Sequence, residues 1–262
     1  MNRRDQQITA IAERVEGLDR DRLRQFYAEV RNAYATSTII DTLAKVDPIE
    51  DREPSDFHVL SAQEARSIAE FNDPSYAWDM YCGEFGRSVA LAEQRYFFDS
   101  VFDAAPPAQM ATGVGFEGVV EAINAFRADG YNADFLLMPV AHMVGFYNYF
   151  GPKQVEFTSG GEQYFDLGSH RVRILSTNIA RPLDRFIVMD KSVGTWRVKL
   201  DPTTKTRLTV AIGIQTQPRA VMWIAETVAR YDITDPKGLR SFHPDEKMDP
   251  YFKSMPEGQA GS

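Results

Sequence analysis

The hydrophobic positions change period partway along the chain, from helical spacing in its first 150 residues to strand alternation after them. Ile8, Ile11, Ala12, Val15 and Leu18 recur at helical intervals, and Leu23, Phe26, Tyr27 and Val30 resume the stripe beyond Gly17. This spacing predicts a helix over 6–35 whose opposite face is dense in Arg, Asp and Glu. The β-branched run 36–44 predicts a strand. Periodicity then lapses. Between Asp47 and Asp73 eight acidic residues (Asp47, Glu50, Asp51, Glu53, Asp56, Glu64, Glu70 and Asp73) stand against Arg52 and Arg66, with Pro48 and Pro54 interrupting. That composition predicts a long extended excursion rather than a core element, which is unusual in a compact domain unless the loop has a job.

A single long helix is predicted over 75–103, with Trp78, Tyr81, Phe85, Val89, Ala92, Tyr96 and Phe102 as its apolar stripe. Asp73-Pro74 opens it and Ala105-Pro106-Pro107 closes it. At ~1.5 Å per residue it spans ~43 Å, longer than an ordinary globular helix. Gly83 and Gly86 inside it weaken the helix and permit close backbone packing. A second helix is predicted over 117–129 with Gly130 as its stop, then a buried strand over 135–140 and a short aromatic helix over 141–150. Beyond Gly151-Pro152 the pattern predicts strands at 163–167, 170–176, 184–190, 195–200, 206–217 and 219–233. The tail from Asp235, rich in Pro, Gly and charge, reads as a surface extension. The fold class is therefore α+β.

Composition narrows the function. In 262 residues, enough for one large domain or two, 17 Phe, 11 Tyr and 3 Trp exclude a mostly solvated coil. Cys82 is the only cysteine, which excludes a disulfide framework and fits a reducing compartment. No run approaches the ~20 apolar residues of a membrane span, and the opening MNRRDQQITAIAERVEG lacks the apolar core of a secretory leader. The net charge of −8 argues against gripping nucleic acid by its phosphates, though not against enclosing it.

Candidate chemistry is sparse. Gly113, Gly115 and Gly118 spell GxGxxG, but APPAQMAT rather than a strand precedes them, so the dinucleotide reading fails its context and a joint remains. His58, His142, His170 and His243 show no metal-ligand spacing. Cys82 reads as a buried inert thiol, and the carboxylates of 47–73 lack a calcium-loop pattern. No residue is assigned a catalytic, cofactor-binding or metal-binding role, and the chain is expected not to be an enzyme.

The order of parts, with four strings inside it, resembles the Hong Kong 97-type shell proteins, the fold of tailed-virus major capsid proteins and of encapsulin compartments. GRSVALAEQRYFFDSVFDAA (86–105) is similar to the end of that family's spine helix. EGVVEAINAFRADGYNADFLLMPVAHMVGFYNY (117–149) is similar to its axial-domain helix, strand and helix. VRILSTNIARPLDRFIVMDKSVG (172–194) resembles a strand pair flanking a loop, and TRLTVAIGIQTQPRAVMWIAETV (206–228) the closing peripheral-domain strands. The resemblance covers about 75–235. It implies an N-terminal helical arm (1–46), an extended loop (47–73), a peripheral domain with the spine helix (74–116 and 201–234), an axial domain (117–200) and a C-terminal tail (235–262).

What it implies about function is a major capsid protein of a tailed double-stranded DNA virus, self-assembling through pentamers and hexamers into an icosahedral shell. Packaged DNA would be enclosed without sequence-specific contacts, portal, scaffold and decoration proteins are further candidate partners, and no membrane is involved. Its place would be the virion, and the host cytoplasm during assembly. An encapsulin-like shell around a cargo enzyme is the alternative; residues 1–35 lack the tryptophan usual in the encapsulin N-terminal helix. The stripe of 6–35 fits either a helix packed on its own domain or an arm docked on a neighbour, and the expectation carried forward is the arm, dispensable for folding of the subunit. Some shells of this fold lock covalently through a loop lysine; here 47–73 contains none, and Lys45 just precedes it. A non-covalent shell is expected.

Overall fold

A computed structural model describes residues 17–49, 56–73, 78–105, 116–159, 161–176, 185–216 and 219–242. The chain forms two compact units, one of Met1–Phe97 with Thr195–Asp232 and one of Phe98–Gly194 with Ile233–Ser262.

The first unit is a five-stranded sheet with its core between one sheet face and two long helices. Helix α1 (Arg20–Ser37) starts where the Asp19 carboxylate accepts from the amides of Asp21 and Arg22, a side-chain cap for otherwise orphaned donors. Two one-turn helices follow in the chain, α2 (Ile40–Leu43) and α3 (Ile68–Asn72), the second opened by a Ser67/Glu70 capping box. The long helix α4 (Trp78–Ala104) runs from this unit into the second. Strands β1 (Lys45–Ile49), β2 (His58–Arg66), β8 (Gly194–Lys199), β9 (Thr209–Thr216) and β10 (Arg219–Ile233) make the sheet in the order β1-β8-β10-β2, with β9 also paired to β10. β10 alternates strictly: Val221, Trp223, Ala225, Thr227 and Ala229 are buried, while Met222, Ile224, Glu226 and Val228 are half-exposed. Val221, Trp223 and Ala225 share a core with Leu23, Phe26, Val30, Phe85 and Val89, with the Phe26 and Trp223 rings 4.5 Å apart.

The second unit builds a six-stranded sheet in the order β11-β7-β3-β6-β5-β4. Its strands are β3 (Phe135–Met138), β4 (Val155–Phe157), β5 (Gln163–Asp166), β6 (Arg171–Ser176), β7 (Phe186–Met189) and β11 (Leu239–Phe242). β3 runs parallel to β6, and the other pairs are antiparallel. Helices α5 (Phe116–Ala128) and α6 (Val140–Phe150) supply Ile123, Phe126 and Phe146 to a core shared with Leu136, Phe165, Val188 and Phe242.

Five expectations are corrected. The predicted helix over 6–35 does not continue through Gly17, which sits at φ +87°, and α1 begins only at Arg20; residues 1–16 lie outside the described residues. α1 does not wait for a neighbour, because Leu23, Phe26, Tyr27, Val30 and Tyr34 are buried in the unit's own core. The predicted strand over 36–44 is the end of α1 and the single turn α2, since Ile40 and Leu43 both reach the interior from one helical face. The loop 47–73 is an excursion only in part: β1 pairs in parallel with β8, and β2 pairs with β10 from Val221↔Arg66 to Ala229↔His58. Its charges mislead because the alternation of Leu60, Ala62 and Glu64 towards one face survives among them; residues 50–55 lie outside the described ones. Finally, the tail begins with a strand. Asp235 caps a 3₁₀ turn, and Leu239–Phe242 pair with β7, burying Leu239 and Phe242.

Candidate functional site

The stripe of α4 is rotated from the one its aromatics suggest, and the rotation brings a charged residue inside. Glu93 is wholly buried, whereas Ala92 and Tyr96 are only partly so. Its carboxylate accepts from the Tyr34 hydroxyl of α1 at 2.7 Å and from the Thr38 hydroxyl at 3.0 Å. Thr227 of β10 and Arg207, itself ion-paired to Asp41, face the same group. Next to it, Gln94 donates to the Ser37 carbonyl at 3.0 Å, satisfying one of the acceptors a helix leaves open at its C-terminus. Burial raises the Glu93 pKa above its ordinary range despite the hydroxyl donors and Arg207, and burial beside Glu93 raises that of Tyr34 so far that it remains a donor at any physiological pH.

The helices can meet this closely because of Gly86. A Cβ there would lie 2.3 Å from the Val30 carbonyl oxygen and 2.9 Å from the Tyr34 nitrogen. Gly83, expected to share this role, faces only the Arg87 side chain at 3.5 Å. Glu93 and Gly86 thus bolt α1 to α4. Sequence reasoning missed the hub, although an acidic residue between Val89 and Phe97 at core spacing was its available signal.

In the second unit a buried carboxylate organises the turn after β7. Asp190 accepts from the Asn132 amide at 2.7 Å, the Ser192 amide at 2.8 Å and the Ser192 hydroxyl at 2.6 Å. Burial pushes its pKa up, but these three donors outweigh it and hold the pKa below the ordinary carboxylate range. A pKa depressed in the folded state contributes stability above the unfolded pKa, and that stability is lost as pH falls through the folded value. Asp190→Asn is therefore expected to cost about 1–2 kcal/mol at neutral pH, a deficit that shrinks on acidification, as urea unfolding across pH would show.

The remaining candidates lie apart from one another. Cys82 is buried. His58 stacks on Tyr96, His142 lies against Phe186, and His170 contacts the Ala133 carbonyl, while His243 lies outside the described residues. Gly113 and Gly115 are likewise outside, and Gly118 sits within α5. Among the described residues no group of three His, Cys, Asp or Glu could hold a metal ion, and no helix is long and apolar enough to cross a membrane.

What the surface offers instead is apolar area. α6, VAHMVGFYNYF, contains no charged residue, yet Val144 and Tyr149 are 64% and 51% exposed, and Phe157 on β4 is 55% exposed beside Tyr147.

No protein-family model matches the chain, and no curated protein sequence matches it. Solved structures do. The virus-like particle from Pyrococcus furiosus aligns over 84% of this chain and 98% of its own, at 12% identity and TM-score 0.57. The holo-SrpI encapsulin complex from Synechococcus elongatus PCC 7942 aligns over 80% and 89%, at 10% identity and TM-score 0.56. The capsid of the cyanophage P-SCSP1u aligns over 79% and 88%, at 9% identity and TM-score 0.53. At such identities the likeness concerns the fold: this is an α+β chain of Hong Kong 97-like shell architecture.

Proposed function

We propose that the protein is a self-assembling shell subunit, and specifically the major capsid protein of a tailed double-stranded DNA virus. The observation that carries this reading is the fold shared with a virus-like particle over nearly the whole of that particle's chain. On this reading the unit of α1, α4 and the five-stranded sheet corresponds to the peripheral domain, and the unit of α5, α6 and the six-stranded sheet to the axial domain. The role is structural rather than catalytic, with assembly burying apolar area such as Val144, Tyr149 and Phe157. A closed shell repeats one heterologous contact until rotation closes it. Light scattering on the purified chain should give megadalton particles, or pentamers and hexamers that convert to them. A monodisperse monomer at every concentration and salt would refute the proposal.

The encapsulin-like alternative keeps the shell and exchanges genome for cargo enzyme, and the match to the holo-SrpI encapsulin complex favours it to a similar degree. Particles purified from the native source separate the two by content: double-stranded DNA for the capsid, a co-purifying enzyme for the compartment. In either case the lysine-free stretch 47–73 leads us to propose a non-covalent shell. Boiling particles in detergent with reductant should release one band at the monomer mass of 29.6 kDa, and a surviving ladder would contradict this.

A further inference from the structure

Glu93 is ringed by more donors than a protonated carboxyl group can use. Tyr34 of α1 and Thr38 at its C-terminal end donate to it at 2.7 and 3.0 Å. Thr227 faces it from β10, and Arg207 from the loop between β8 and β9. Two of these four are idle. The buried Thr227 hydroxyl makes no hydrogen bond of ordinary geometry, and neither does the buried Nη1 of Arg207. A buried donor without an acceptor is costly. An ionised carboxylate has about four lone-pair sites, enough for all four donors, whereas protonation turns one of its oxygens into a donor. The ring is therefore complete only around the ionised form of Glu93.

Arg207 is meanwhile engaged on its other side. Its Nη2 is ion-paired to Asp41, an exposed residue of the one-turn helix α2. A single turn is marginal by itself. The amides of Thr42 and Leu43 share the Ile39 carbonyl, and the Ala44 amide donates to the Ile40 carbonyl. Side chains must therefore hold α2: Ile40 and Leu43 inside, and the Asp41–Arg207 pair outside. The backbone beneath Arg207 is fixed. Asp201 accepts from the amides of Thr203 and Thr204 at 2.9 and 2.7 Å, and its own amide donates to the Thr206 carbonyl at 2.8 Å. What is left to move is the long Arg207 side chain. The titratable groups facing Glu93 are Tyr34 on α1 and Arg207, with Asp41 of α2 behind Arg207, while Thr38 and Thr227 bring hydroxyls only. Tyr34 and Arg207 keep their protons, so Glu93 is the member of the cluster whose charge changes.

We propose that Arg207 is a proton-switched latch on α2. While Glu93 holds its proton, the guanidinium clamps Asp41. When Glu93 releases that proton to solvent, Nη1 turns to the new carboxylate and the hold on Asp41 weakens. The latch lies wholly within the first unit and needs no neighbour, so it stands or falls apart from the shell reading. Hydrogen exchange of the full chain, read by mass spectrometry and corrected for the intrinsic effect of pH, follows the Thr42, Leu43 and Ala44 amides from mildly acid to mildly alkaline solution. Their protection should fall by about 2- to 5-fold as pH rises, the contribution of one partly exposed ion pair. Glu93→Gln cannot ionise and should keep the protection high and flat. Asp41→Asn should keep it low and flat, although Glu93 still titrates in that variant, so a general loosening of the unit would still show there. Asp41 is exposed, and its substitution keeps the test open should Glu93→Gln disturb the core. Protection that does not fall in the parent, or a fall that persists in either variant, would overturn the latch.

Discussion

Gly86→Ala destabilises the first unit by about 3 kcal/mol, at the upper end for an overpacked site, even though alanine is the better helix former. The new methyl would sit 2.3 Å from the Val30 carbonyl oxygen and 3.0 Å from the Ala33 Cβ, and neither is the loose end of a side chain that could swing aside. α1 and α4 must separate, which opens the contacts of Phe26 with Phe85 and of Tyr34 with Glu93. Gly83→Ala, one turn earlier on the same helix, meets only the flexible Arg87 side chain and is expected to gain up to ~1 kcal/mol from helix propensity. Urea unfolding of the two variants should move in opposite directions from the parent. Equal stability of Gly86→Ala and the parent would mean that α1 does not cross α4 at this distance, and the arm reading of α1 would then return.

That pair shows where the sequence was legible and where it was not. The long helix and the strand-rich second half follow from period and residue type, whereas the alternating burial of Val221 to Tyr231 within an apolar run emerges only in the fold. The order of these elements was enough to suggest a shell-protein architecture that the solved structures share. Local pattern could not say where α1 docks, because an amphipathic stripe is the same stripe whether it meets its own core or a neighbour. Nor could it place β2, whose partner β10 lies more than 150 residues away and whose acidic neighbourhood resembles a solvated loop. The tail strand β11 was hidden for a similar reason. Four residues bounded by Pro236 and charge carry too short an alternation to distinguish from a turn, and only the edge of β7 makes them a strand. Glu93 is the least legible: local pattern does not show that a carboxyl group supplied with hydroxyl donors from α1 can be buried.

The consequence of burying Glu93 is a stability that falls as pH rises. Burial raises the folded-state pKa above the ordinary value of 4.5, so between the two values the folded chain binds more protons than the unfolded one. The cost is absent below the unfolded pKa, grows as pH climbs towards the folded one, and is fully present above it. Glu93→Gln keeps an acceptor for Tyr34 and removes the titration. Relative to the parent, this variant should therefore look worst in acid and improve steadily towards neutral pH, and Asp190, which tilts the curve the other way, cancels in the comparison. Tyr34→Phe tests the other side of the bond. It leaves a wholly buried carboxyl group one partner short, a loss of about 1–3 kcal/mol for a buried polar group left unsatisfied. Combined with Glu93→Gln, the phenylalanine should cost less than it does alone, because both substitutions act on one shared hydrogen bond. Additive losses in the double variant, with no pH dependence in the difference between Glu93→Gln and the parent, would mean that the carboxylate reaches solvent in the folded chain and is no part of the bolt between α1 and α4.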